Sequence, residues 1–310
     1  MKGITHFTVG VTLASCLPQA VQAGSDGNPL LFILGGIFGL LPDTLDFKIL
    51  RFLHRHDVEI VPDPSRPDPA LIAEALAGSI RRARITGRPV RVKLHSSAPG
   101  AGLWHRFRVT LPAAGNRVAV GYEGVVNTSQ EMARHAPHPR AAAEADLPCA
   151  VTTDYTATTT VDILDGPSYA MEPLGDGRVA IRFIPWHRHW THGLPVAAVI
   201  GGALGWWLGP AAGLIGGGAY ALHALADQCG HMGSNLFFPF TRRRSPGLQW
   251  VRSGSTLANL GVVWIACLVI YWNLARAGQA DRAPGLPGLL VLFGFLPLAA
   301  AAWCRRRLPR

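Results

Sequence analysis

The feature that most constrains this chain is a set of apolar runs with ionisable residues gathered at their ends. They run from Met1 to Ala23, Pro29 to Leu45, Gly193 to Leu208, Ala211 to Cys229, Thr256 to Ala275 and Leu286 to Trp303. A bilayer core takes about 17–25 apolar residues per helix, so these runs predict membrane-crossing helices. The two joined by Gly209-Pro210 sit near the lower limit. Composition agrees, because 310 residues with 49% hydrophobic and only 15% charged are too apolar for an ordinary water-soluble domain. The expected fold is an α-helical polytopic membrane protein of about six transmembrane helices with an inserted soluble α+β domain. Residues 1–50 carry helices 1 and 2, 51–185 form the insert and 186–310 carry helices 3–6.

The formal charge of +10 does not point to nucleic acid, since arginines cluster at the ends of apolar runs, as in Arg242-Arg243-Arg244 and Arg305-Arg306-Arg307. Positive-inside counting then predicts a multi-pass protein of the cell inner membrane with both termini and the insert in the cytoplasm. Met1-Lys2 and Val21-Gln22-Ala23 resemble a secretory signal, and Leu13-Ala14-Ser15-Cys16 a lipoprotein cleavage site. Thr5-His6 in the charged head of that segment favours its retention as a first helix. The five cysteines are scattered without CxxC spacing, which supports neither a disulfide framework nor a thiolate metal site.

Within the insert, Asp68 is placed to cap a helix from Pro69 to about Ile85, with Ile72, Leu76, Ile80 and Ala83 on one face. Strands are expected at Pro89 to His95, Trp104 to Leu111, Arg117 to Val126, Val151 to Leu164 and Arg178 to Ile184. Ala136 to Pro148 reads as an exposed loop. The histidines here (His54, His56, His95, His105, His135 and His138) lack ligand spacing and read as surface residues.

The chemistry concentrates elsewhere. His187-Arg188-His189-Trp190-Thr191-His192 reads either as a headgroup belt with Trp186 and Trp190, or as nitrogen ligands with Thr191 capping a helix that begins at His192. Asp43 and Asp46, three apart just past Pro42, share one helical face if the helix continues. His223 and Asp227 stand at i and i+4, so both can reach one ion. On the predicted topology His6, Asp43, Asp46, His187 to His192, His223 and Asp227 all fall at the cytoplasmic ends of four spans. A His/Asp set without thiolate suits Zn, Mn or Fe, as one ion or a bridged pair. Gly201, Gly205, Gly209, Gly213 and Gly217 recur every four residues and predict close helix packing.

These residues resemble a known family, the membrane-bound metal-dependent hydrolases, described as LexA-binding, inner-membrane-associated hydrolases. The resemblance rests on Thr5-His6 with Gly10, on Leu41-Pro42-Asp43 with Asp46, on His187-Arg188 and Thr191-His192, and on His223 and Asp227 followed by Gly233, Leu236, Pro239 and Phe240. It covers residues 1 to about 56 and 186 to about 275. Gly230, His189 and Gly193 depart from the family pattern, and the insert is an addition to it. The resemblance implies a hydrolase; the LexA-binding label is not carried over.

On this reading His6, Asp43, Asp46, His192, His223 and Asp227 bind one or two divalent transition ions, zinc first, with manganese or iron as alternatives. His187 serves as a further ligand or proton donor, and Arg188 clamps a phosphate or carboxylate. The expected substrate is a phosphoester or lipid-linked molecule at the membrane interface, and the insert is expected to gate substrate or bind a protein partner. Two other readings stand beside it: a metal-ion transporter, and a non-enzymatic membrane anchor whose cytoplasmic domain binds a partner.

Overall fold

The structure is a computed structural model and describes residues 2–111, 116–127, 142–153, 158–162, 166–241, 244–251, 255–278 and 285–295. Arg242, Arg243, the arginine tail, His135, His138, Cys304 and the last part of the expected sixth span lie outside the described residues. The chain divides into two compact units, Met1–Leu50 with His187–Arg310, and Arg51–Trp186.

The first unit opens with α1 (Gly3–Ser15) and α2 (Pro18–Ser25), bent by 92° at the break between them. Helix α3 (Leu30–Thr44) continues as a π-helix over Leu45–Leu50. Pro42 lies inside α3 and has no N–H to donate, and the wider π-turn follows immediately. Helices α1 and α3 meet backbone to backbone. A Cβ at Gly10 would lie 2.0 Å from the Gly35 carbonyl oxygen, and one at Gly35 would lie 2.4 Å from that of Gly10.

The second unit begins with α4 (Arg51–Leu53) and β1 (Val58–Ile60), then α5 (Pro69–Thr86). The Asp68 side chain accepts the Ala70 N–H at 2.9 Å, Pro69 occupies the first turn and Gly87 closes the helix with φ of 63°. These are the capping devices that fix a helix at both ends. Eight more strands follow: β2 (Val90–Leu94), β3 (Leu103–Thr110), β4 (Arg117–Asn127), β5 (Ala142–Asp146), β6 (Val151–Thr153), β7 (Thr158–Val161), β8 (Ser168–Pro173) and β9 (Val179–Phe183). They form a mixed sheet in the order β1-β2-β8-β9-β6 and an antiparallel one in the order β5-β4-β3-β7. Ile72, Leu76 and Ile80 of α5 join residues of both sheets, among them Val92, Leu94, Phe107, Val120, Tyr169 and Ile181, in one buried core.

The single strand expected over Val151 to Leu164 is instead two, β6 and β7, placed in different sheets. Part of the expected 136–148 loop is strand β5, an edge strand of alternating Ala and acidic residues. The first unit resumes with α6 (Leu194–Leu208), α7 (Pro210–Gln228), α8 (Thr256–Arg276) and α9 (Leu286–Leu290), the last running into a π-helix over Val291–Phe295.

The expectation of six transmembrane helices is overturned. Among the described residues two helices are long and apolar enough to cross a bilayer, Leu30–Leu50 and Thr256–Arg276, each of 21 residues. A third is added only if the bent α1–α2 pair counts as one span. Helix α6 has 15 residues, and at ~1.5 Å per residue it falls well short of a hydrocarbon core of about 30 Å. Helix α7 is long enough but carries Gly213, Gly216, Gly217, Gly218, His223, Asp227 and Gln228, which lower its hydropathy. The architecture is a helical unit plus a helix-and-sheet unit. The glycine pattern between α6 and α7 does pack as a close approach, with a Cβ at Gly213 falling 2.5 Å from the Gly201 carbonyl.

Candidate metal centre

The candidate residues lie in the first unit and come from α1, from the α3 π-turn, from the loop before α6 and from α7. Helix α3 delivers Asp43 and the π-turn delivers Asp46. The His187–His192 segment is not the start of a long helix. It ends in a 3-10 turn over Trp190–His192, and α6 begins only after Gly193. Thr191 therefore does not cap a helix with its hydroxyl, which donates instead to Asp46 Oδ1 at 2.6 Å.

Four ligand atoms converge. His192 Nε2 and His223 Nε2 lie 3.2 Å apart. Asp43 Oδ1 is 3.5 Å from each of them. Asp227 Oδ2 is 3.5 Å from His192 Nε2 and 3.6 Å from His223 Nε2. His192, His223 and Asp227 are buried and Asp43 is partly so. The tautomer of His223 is set from outside the cluster, since its Nδ1 donates to the Gly39 carbonyl at 2.7 Å and leaves Nε2 as the ligand nitrogen. His6 stacks on His223 with ring centroids 3.7 Å apart, and its Nε2 is 3.5 Å from Asp227 Oδ1.

A second group, Asp46, His187 and His192, flanks the first and shares the His192 ring. Asp46 Oδ2 accepts from His187 Nδ1 at 2.8 Å and from the Arg188 backbone N–H at 2.9 Å, and lies 3.4 Å from His192 Nδ1. With Thr191 on Oδ1, both carboxylate oxygens are engaged by donors. Burial holds the His187 imidazole below its ordinary pKa of 6.5, with the Asp46 hydrogen bond opposing that shift in part.

The guanidinium of Arg188 is committed to Asp227, with Nη2 2.9 Å from Oδ1 and Nη1 donating to the Asp227 carbonyl at 3.3 Å. Its backbone adopts φ of 60°, a conformation costing a non-glycine residue roughly 1–2 kcal/mol. The Asp46 carboxylate on its N–H and the Asn235 N–H on its carbonyl, at 3.1 Å, hold it there.

The sequence reading passed over several supporting residues. Tyr220, one turn before His223 on the same helix face, donates its hydroxyl to the Thr191 carbonyl. Arg244 reaches the His187 carbonyl. Asn259 Oδ1 accepts from the Lys2 N–H at 2.7 Å and from Thr5 Oγ1 at 2.9 Å, so the start of α8 fixes the start of α1 beside His6. An Asn near the start of an apolar run was the signal available for the last of these.

A buried His/Asp cluster whose ligand atoms approach closely enough to share one ion, in a chain with helices of membrane length, defines the class. Residues 153–306 match the model of the family described as YdjM inner membrane protein. That range includes His187, Arg188, His192, His223 and Asp227 but not His6, Asp43 or Asp46, and the match supports an inner-membrane protein. No curated protein and no solved structure matches the chain.

Proposed function

We propose that this chain is a membrane-associated, metal-dependent hydrolase acting on a phosphoester or lipid-linked substrate. The observation that carries the reading is the set of five separations of 3.2–3.6 Å among His192 Nε2, His223 Nε2, Asp43 Oδ1 and Asp227 Oδ2. Four ligands at ~2.0–2.1 Å from one tetrahedral ion stand about 3.3 Å from each other, so these atoms fit such an ion with little movement. Asp43 Oδ1 is buried with no hydrogen-bond partner among the described residues, as an atom reserved for a cation would be. The donor set of two imidazoles and two carboxylates favours zinc, with manganese and iron as alternatives. When bound, an ion of this class supplies Lewis acidity, polarising a substrate oxygen and acidifying a water.

The chain's own residues supply the rest. Asp46, with each oxygen accepting hydrogen bonds, backs His192 from its Nδ1 side. The four-atom cluster is the first ion's site, and Asp46 with His187 and His192 is the group that could hold a second. Arg188 holds Asp227 so that Oδ2 faces the cluster, which makes it a positioning residue in this state rather than an open anion clamp. His187, neutral because it is buried, is placed to hold or pass a proton at the edge of the cluster.

Elemental analysis of detergent-purified chain tests the reading. About one equivalent of zinc, manganese or iron in wild type, lost in His192→Ala and Asp227→Ala, is expected, followed by phosphoesterase activity dependent on that ion. Folded wild type that stays metal-free after metal is supplied would overturn the proposal and favour the partner-binding anchor.

A further inference from the structure

The segment between α7 and α8 displays large apolar side chains although its backbone is held in place. Three of its polar residues face inward, Ser234 and Asn235 at 0% and 2% exposure and Gln228 at the end of α7, while His231, Thr241 and Gln249 are exposed. Its large apolar residues face outward, with Phe240 83%, Trp250 74%, Phe237 53% and Leu248 51% exposed. This is not the looseness of an unpacked loop. The Leu248, Gln249 and Val251 N–H groups donate to the Gln228, Gly230 and Cys229 carbonyls at 2.7, 3.0 and 3.0 Å. Ser245 N–H donates to the Ser234 carbonyl at 2.9 Å, and the Leu194 N–H to the Leu236 carbonyl at 2.8 Å. Single exposed apolar residues are ordinary in water, but four displayed from one pinned stretch of backbone are not.

The position of the segment says what covers them. It leads from Asp227 directly into the apolar helix Thr256–Arg276, one of the two of bilayer length. It therefore lies where such a helix enters the membrane, the level at which tryptophan and other aromatics concentrate. Trp190, half-exposed in the neighbouring 3-10 turn, extends the same aromatic band.

We propose that residues 229–241 and 244–251 form an aromatic collar seated in the headgroup and upper acyl region of the bilayer. The collar binds the His187–Arg188 loop through Asn235 and Arg244, which sets the buried His/Asp cluster close to the lipid-facing segment. A polar head group can reach it from within the membrane, and the matching substrate class is an amphiphile whose head is at the ester and whose tails remain in the bilayer. The seating itself does not depend on a bound metal or on hydrolysis.

The test uses the wild-type chain in nanodiscs of phosphatidylethanolamine and phosphatidylglycerol, doped with a phospholipid bearing a diazirine near the glycerol end of one acyl chain. After irradiation and digestion, mass spectrometry should find lipid adducts on peptides holding Phe237, Phe240 and Trp250, alongside those on α8. Adducts on α8 with none on residues 229–251 would overturn the collar, as would adducts nowhere. Hydroxyl-radical footprinting of the same particles supplies a second reading. Protection of Phe240 and Trp250 without lipid adducts would assign the face to a second copy or another protein and also overturn the proposal. Metal content enters neither measurement, so failure of the collar and failure of the hydrolase reading are told apart.

Discussion

Asp46 and His192 face each other at 3.4 Å, Oδ2 to Nδ1, while the far nitrogen of the same imidazole lies 3.2 Å from His223 Nε2. One ring thus separates a carboxylate satisfied by protein donors from a cluster short of them. Replacing Asp46 by Asn removes the charge behind His192 but leaves the four converging atoms in place. The expected result is a metal affinity lower by about 10–100-fold with stoichiometry unchanged. Asp43→Asn should abolish stoichiometric binding. Competition against a chelator of known affinity separates the two, and equal loss in both variants would mean that Asp46 is a ligand.

The close contact of α1 with α3 predicts a sharp steric limit. Gly10→Ala puts a methyl 2.0 Å from the Gly35 carbonyl, so the helices must separate. Overpacking of this kind costs roughly 1–3 kcal/mol. Thermal unfolding in detergent should show a clearly lowered Tm, whereas Gly78→Ala on α5, where a Cβ meets nothing within 4 Å, should not.

The Asp68 cap of α5, several alternating strands and the i, i+4 pairing of His223 with Asp227 were legible because each is written in local spacing, whereas the gathering of the His and Asp segments was argued from a six-span topology that the structure overturns. Asp68-Pro69 marks the start of α5 by chemistry that acts within one turn. Strand β8 was not legible: Ser168, Tyr169, Ala170 and Met171 are all buried in the centre of its sheet, so the polar alternation that marks a half-wet strand is missing. The six spans failed for a related reason. Gly-rich α6 and α7 look apolar because they lack charge, yet one is too short and the other too polar at its end to cross a bilayer. Asp46 looked like Asp43 in sequence. What distinguishes them is a set of donors arriving from residues more than 140 positions later, and no local pattern encodes that.

His187 predicts a pH dependence. Its pKa in the folded chain is lowered from 6.5 by burial, so the unfolded chain binds its proton more readily. Its favourable contribution is complete above about pH 6.5 and is lost as pH falls from there toward the lower folded value. Unfolding midpoints of metal-free wild type should therefore drop between pH 7 and pH 5 by more than those of His187→Asn. Parallel curves for the two would show that His187 does not carry the effect.

Asn259 ties α8 to α1 through Thr5 and the Lys2 backbone. In a membrane such side-chain bonds couple by roughly 0.6–2 kcal/mol. A double-mutant cycle of Thr5→Val with Asn259→Leu should return a coupling in that range by thermal or denaturant unfolding. Strict additivity would show that the two helices associate by packing alone.

Asp46 accepts a hydrogen bond from His187, 141 residues further along the chain. At a synthesis rate of ~5–20 residues per second, on the order of ten seconds pass between the emergence of the carboxylate and the arrival of that imidazole. Through that interval the carboxylate lacks the donors of His187, Arg188 and Thr191 that engage it in the folded chain. The cluster therefore closes as a late event, once the intervening unit has left the ribosome.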